Sequence, residues 1–110
     1  MKTNMTYHAR YDRKNRIEYI LDTVGLGEPV CEWTYKDERH NGPVTKILTD
    51  TGVIILKNNK NKIITTWIGS TQQAKAVYVG ASGGKATKMP QKLYTTIKDN
   101  QKYVLNQPCA

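Results

Sequence analysis

Within residues 7–16, Tyr7-His8-Ala9-Arg10-Tyr11-Asp12-Arg13-Lys14-Asn15-Arg16, one imidazole and four cations crowd into the nine positions 8–16. An imidazole that titrates near pH ~6.5 can take or give a proton at neutral pH. An arginine beside it can hold a phosphate through its planar fork, which a lysine point charge does less selectively. His8 is therefore the acid/base candidate, with Arg10 and Arg16 as phosphate clamps. Read as a helix, the stretch turns His8 to solvent, where an ordinary charged helix face is the plainer alternative. His40 lies in a polar loop with Asp37, Glu38 and Arg39, and is either a second acid/base group or an exposed loop histidine. Thr65 and Thr66 alternate with apolar residues, so a hydroxyl there could meet a phosphate oxygen. Threonine is also simply a favoured strand residue. No paired carboxylates and no metal-ligand spacing stand out, so chemistry without metal or cofactor is the expectation.

The charge that would bring a polyanion to these groups is unevenly spread. The chain of 110 residues has 17 Lys plus Arg against 9 Asp plus Glu, a net +8. Residues 1–40 hold equal numbers of acids and bases, including every Arg and both His. Residues 41–110 hold only Asp50 and Asp99 against a lysine series, and so carry the whole excess. Lys46, Lys57, Lys60, Lys62, Lys85 and Lys88 are the nucleic-acid-binding candidates in that half. They either steer a polyanion toward an Arg/His site or keep a small domain soluble. Trp33, Trp67 and the tyrosines could stack on bases, although without any Phe some of them must fill the core.

These groups need a scaffold, and the sequence describes one. Ile17, Ile20, Leu21 and Val24 have the spacing of one helical face, with Asp12 or an earlier polar residue as cap and Gly25 as stop. Residues 30–36 are β-branched and aromatic and read as a strand, followed by a loop over 37–43. Residues 44–68 predict a three-strand antiparallel meander with turns at Asp50-Thr51-Gly52 and 58–61. Val53-Ile54-Ile55-Leu56 is apolar on both faces, which predicts a central strand covered on both sides. Pairing Lys57 with Lys62 sets Thr65 beside Ile54 and Thr66 beside Val53. One hairpin register also lets Lys46 reach the same face.

Ser70-Thr71-Gln72-Gln73 is a capping box opening a short helix to about Val79. A flexible basic loop is expected over 81–89. Pro90 can start a last helix with Leu93, Tyr94 and Ile97 inward, although alternation at Leu93, Thr95 and Ile97 also fits a strand. Residues from Tyr103 onward are ambiguous. The expectation is one α+β domain over 1–110: a single antiparallel sheet of about four strands with an N-terminal helix and short C-terminal helices packed on it.

Several classes drop out. Gly80 to Lys88 fails the phosphate-loop pattern, because Val79 stands where the first Gly belongs and Ala86 follows Lys85. The longest aliphatic run, Val53–Leu56, is too short for a membrane span, and residues 1–5 lack the apolar stretch of a signal peptide. Cys31 and Cys109 fit two reduced thiols in a cytoplasmic protein better than a structural disulfide.

The His-Ala-Arg segment at 8–10, the helix after it, residues 49–56 (Thr-Asp-Thr-Gly-Val-Ile-Ile-Leu), residues 62–68 (Lys-Ile-Ile-Thr-Thr-Trp-Ile) and a Gln-Ala helix form a pattern over roughly residues 7–80. It resembles the small ribonuclease toxins of the barnase, EndoU, colicin and RelE group, in the versions carried by phages and mobile elements. The resemblance implies metal-independent RNA cleavage, in which the ribose 2′-hydroxyl attacks the adjacent phosphate. It makes His8 the acid/base, Arg10 and Arg16 the clamps, and Thr65 or Thr66 the hydroxyl facing the scissile phosphate. It also implies RNA and a protein antitoxin as partners. The rival expectation is a non-catalytic, basic phage accessory protein that binds nucleic acid or blocks a host nucleoprotein such as a defence nuclease.

Overall fold

Val53-Ile54-Ile55-Leu56 has no polar side, and a strand of that kind needs cover on both faces. The computed structural model, which describes residues 14–108, supplies both covers. Its elements are α1 (Lys14–Asp22), β1 (Pro29–Asp37), a 3-10 turn (Glu38–His40), β2 (Gly42–Thr49), β3 (Val53–Lys57), β4 (Ile63–Ile68), α2 (Thr71–Ala81), α3 (Gln91–Asp99) and a second 3-10 turn (Asn100–Tyr103). The strands form one antiparallel sheet in the order β1-β2-β3-β4, with helices before and after it. This is the α+β architecture expected, with β3 inside the sheet and Val53 to Leu56 all buried.

Alternation along β3 divides the core in two. Leu48 and Ile54 join Ala74 and Val77 of α2 and Leu93 and Ile97 of α3 on the first face. Val53 and Ile55 join Ile20 of α1 and Ile63 and Ile68 of β4 on the second, where Tyr103 and Val104 close over them. Burying an aliphatic side chain of this size contributes about 1.5–3 kcal/mol, so each helix is held by a few such residues. Ile20 is buried as expected, but Leu21 departs from its expected place and is 59% exposed. Gly25 ends the turn after α1 as expected, with φ +76° and its N–H donating to the Ile20 carbonyl at 2.8 Å.

The turn between β3 and β4 uses one residue more than simple pairing allows. Asn58 Oδ1 accepts from the N–H groups of Lys60 and Lys62, and Asn61 takes φ +63°. Lys57 consequently pairs with Ile63, not Lys62, and Ile64 bulges before Leu56 meets Thr65. The expected neighbours of Thr65 and Thr66 are therefore corrected to Leu56 and Ile55. A shift of two positions keeps each threonine on its face, but moves both toward the turn.

The capping box forms as read: Ser70 Oγ accepts from the Gln73 N–H, and Gln73 Oε1 from the Ser70 N–H. The helix continues through Gly80 and Ala81, past its expected end. Gly84, at φ +83°, donates to the Val79 carbonyl and supplies the stop. The 81–89 segment is also less free than its composition suggests. Ser82 Oγ donates to the Val79 carbonyl and accepts from the Ala86 N–H, while Met89 is buried in the first core. After Pro90 the chain is helical, not extended. Leu93 and Ile97 point inward at i, i+4, whereas Tyr94 turns outward and is 39% exposed.

Candidate nucleic-acid interface

Alternation in β1 places Trp33 and Tyr35 on the first face of the sheet, their ring centroids 4.5 Å apart. Lys46 on β2 pairs with Trp33, and Leu56 on β3 pairs with both Lys46 and Thr65. One row thus runs Trp33, Lys46, Leu56, Thr65 across all four strands. The Lys46 ammonium lies 5.5 Å from the Tyr35 ring centroid and 6.0 Å from that of Trp67. A cation between two ring faces is held by their quadrupoles and gives up part of its hydration. Strands are ~4.8 Å apart, so Lys46 and Thr65 are separated by about 10 Å along this row.

At the far end of the row α1 contributes Arg16. Its Nη1 donates to Thr65 Oγ1 at 3.4 Å, and its Nε to the Pro108 carbonyl at 2.8 Å. Arg16, Trp67, Val104, Leu105, Gln107 and Pro108 line an open pocket there of about 340 Å³. The guanidinium is aimed by a β4 hydroxyl and a C-terminal carbonyl, two groups far apart in sequence. Guanidinium, hydroxyl, ammonium and aromatic rings on one face are the groups that contact phosphate and bases.

Three of the expected site residues therefore meet on one face: Arg16, Thr65 and Lys46. Thr66 does not. It faces α1 among Ile17, Ile20, Ile55 and Ile63 and is only 4% exposed, so of the two threonines Thr65 is the one available to a phosphate. His8 and Arg10 lie outside the described residues. The 3-10 turn holds His40, whose Nε2 is 4.0 Å from Asp37 Oδ2, and it joins β1 to β2, while Thr65 lies on β4 at the other edge of the sheet. Hydrogen bonds and charge from Arg39 hold the Asp37 carboxyl below the usual carboxylate range, so Asp37 stays anionic beside His40.

The lysine candidates do not form one patch. Lys57 is on the second face, beside the Thr34–Thr45 hydroxyl pair, in a polar cleft with Asn58, Asn59 and Asn61. Lys60 and Lys62 extend from the adjoining turn and are exposed. Lys85 is exposed after α2, and Lys88 lines a separate pocket with Thr71, Gln72 and Lys75. Tyr35 and the tail residues Gln107 and Pro108 belong to the site without having been singled out. The Trp33-x-Tyr35 spacing was the available signal for the first, and nothing local marks the other two. Burial pushes the Cys31 thiol up, as suits a packing residue. Among the described residues no group of three His, Cys, Asp or Glu gathers to hold a metal ion, and no helix is long and apolar enough to cross a membrane.

Comparison of the chain with protein-family models, with curated proteins and with solved structures found no match.

Proposed function

We propose that the protein binds single-stranded RNA along the face that runs from Tyr35 through Lys46 to Thr65 and Arg16. The observation that carries this reading is Lys46, held between the rings of Tyr35 and Trp67 in register with the hydroxyl that Arg16 contacts. The +8 charge adds the long-range attraction and the salt dependence. Titration of a labelled single-stranded RNA at several salt concentrations, followed by fluorescence anisotropy, tests it. Lys46→Ala should weaken binding at least about ten-fold and lower the salt slope by about one. Lys75→Ala, on the outer side of α2, should change little by comparison. Unaltered affinity in Lys46→Ala refutes the reading.

The Arg16–Thr65 contact favours a second activity on the same face, metal-independent RNA cleavage. A phosphate at this end would meet a fixed guanidinium as its negative charge grows during attack by the 2′-hydroxyl. In the resemblance to ribonuclease toxins, His8 moves the proton and Arg10 shares the clamp. Purified protein should then cleave RNA in the presence of chelator, and His8→Ala should lose at least about ten-fold in rate. RNA left intact by the wild-type chain removes the cleavage reading and leaves the binding reading standing.

A further inference from the structure

The two edges of the sheet are finished differently. On β4 the Gln107 amide hydrogen-bonds both backbone groups of Ile68. On β1, nine residues long, no described backbone group bonds to the outer edge. Glu32, Thr34 and Lys36 are exposed along it, and neither Glu32 nor Lys36 forms an ion pair with another described residue.

We propose that two copies of this chain pair β1 to β1, antiparallel about a two-fold axis at Thr34, and so form one eight-strand sheet. The residue pattern is self-complementary in that register. Glu32 stands opposite Lys36 of the second copy, and Lys36 opposite its Glu32. On the other face Trp33 stands opposite Tyr35, and Tyr35 opposite Trp33, which adds an aromatic pair on each side of the axis. Moving the axis to Trp33 sets Glu32 against Thr34 and Lys36 against Val30. Moving it to Tyr35 sets Glu32 against Glu38. Of these three registers, the one at Thr34 matches opposite charges. Charged residues on an edge strand ordinarily keep copies apart, but opposite charges placed symmetrically about one residue attract a second copy. The same pairing brings the Lys46 faces of both copies onto one side of the joined sheet. The proposal does not depend on RNA binding, because its readout is the association state of the protein alone.

Sedimentation velocity of the full chain over a range of concentrations tests it. The wild type should show a concentration-dependent dimer. Glu32→Lys and Lys36→Glu should each weaken that dimer at least about ten-fold, since each sets like charges opposite across both halves of the interface. An equimolar mixture of the two variants should recover dimer to near the wild-type level, because the mixed pair restores both opposite-charge contacts. Misfolded variants could not rescue each other. A wild-type chain that stays monomeric, a dimer that ignores both reversals, or a mixture that fails to recover would overturn the proposal.

Discussion

Gln107 occupies the place of a fifth strand at Ile68. Its Oε1 accepts from the Ile68 N–H at 2.9 Å, and its Nε2 donates to the Ile68 carbonyl at 3.1 Å. One side-chain amide thereby satisfies both backbone groups of an edge residue and docks the C-terminal tail. The next residue, Pro108, presents the carbonyl that aims Arg16. Removing the amide should therefore affect both the sheet edge and the site. Gln107→Ala is expected to destabilise by about 1–2 kcal/mol, read from urea unfolding. Gln107→Glu keeps an acceptor but sets a carboxylate against the Ile68 carbonyl, and is expected to cost at least as much. Wild-type stability in both variants would show that the tail does not close this edge.

Gly80 permits α2 to lie directly on Trp33. A Cβ at position 80 would fall inside contact distance of the indole ring. In an exposed helix interior Gly→Ala ordinarily stabilises by about 0.5–1 kcal/mol. Here the sign should reverse, with Gly80→Ala costing about 1–3 kcal/mol through overpacking. Placing the same change in a Trp33→Leu background should recover part of that cost. A stabilising Gly80→Ala in the wild-type background would refute the close approach.

Thr66 carries a hydroxyl at 4% exposure among isoleucines, and no hydrogen bond to it is made by any described residue. Thr66→Val keeps the shape and removes the desolvated hydroxyl. It is expected to stabilise by roughly 0.5–1 kcal/mol while leaving RNA binding unchanged. Thr65→Val should do the opposite, weakening RNA binding by removing the Arg16 acceptor. If Thr66→Val weakens RNA binding and Thr65→Val does not, the assignment of faces is wrong.

The Asp37 carboxyl accepts from the Arg39 N–H, Nε and Nη2. Its pKa in the folded chain is lowered, chiefly by the side-chain bond to Arg39. A depressed folded value means that the contribution to stability is complete above the unfolded carboxylate range. It is lost as pH falls through the folded value. Carboxyl carbon shifts followed by NMR should show Asp37 titrating below the ordinary carboxylate range. Arg39→Ala should move the midpoint up toward the ordinary range. The Arg39 side chain is 84% exposed, so the change in global stability should be small. An unmoved midpoint in Arg39→Ala would show that the contact does not form in solution.

Much of this molecule is written locally. The helical spacing of Ile17 to Val24, the alternation in Cys31 to Tyr35, the wholly apolar Val53 to Leu56 and the Ser70–Gln73 capping box each specify an element from neighbours a few residues away. So does the chemistry of the tight turns, and with the elements comes the antiparallel α+β sheet. The charge division, with every arginine in a neutral first segment and the excess carried by lysines after residue 40, is likewise complete in the sequence.

What joins the site lies beyond that range. Which residues Thr65 and Thr66 meet across the sheet depends on alternation counted back from a bulge at Ile64, although each keeps the face that simple pairing gives it. That bulge exists because Asn58 and Asn61 close a turn one residue longer than the simplest pairing. Arg16 is aimed by residues 49 and 92 positions away. Lys46 is set between two rings only by the register of all four strands. Local propensity specifies each strand and the face on which its side chains lie. Which chemical groups then meet across strands is decided by packing, because register and tail docking bring together residues that share no local pattern.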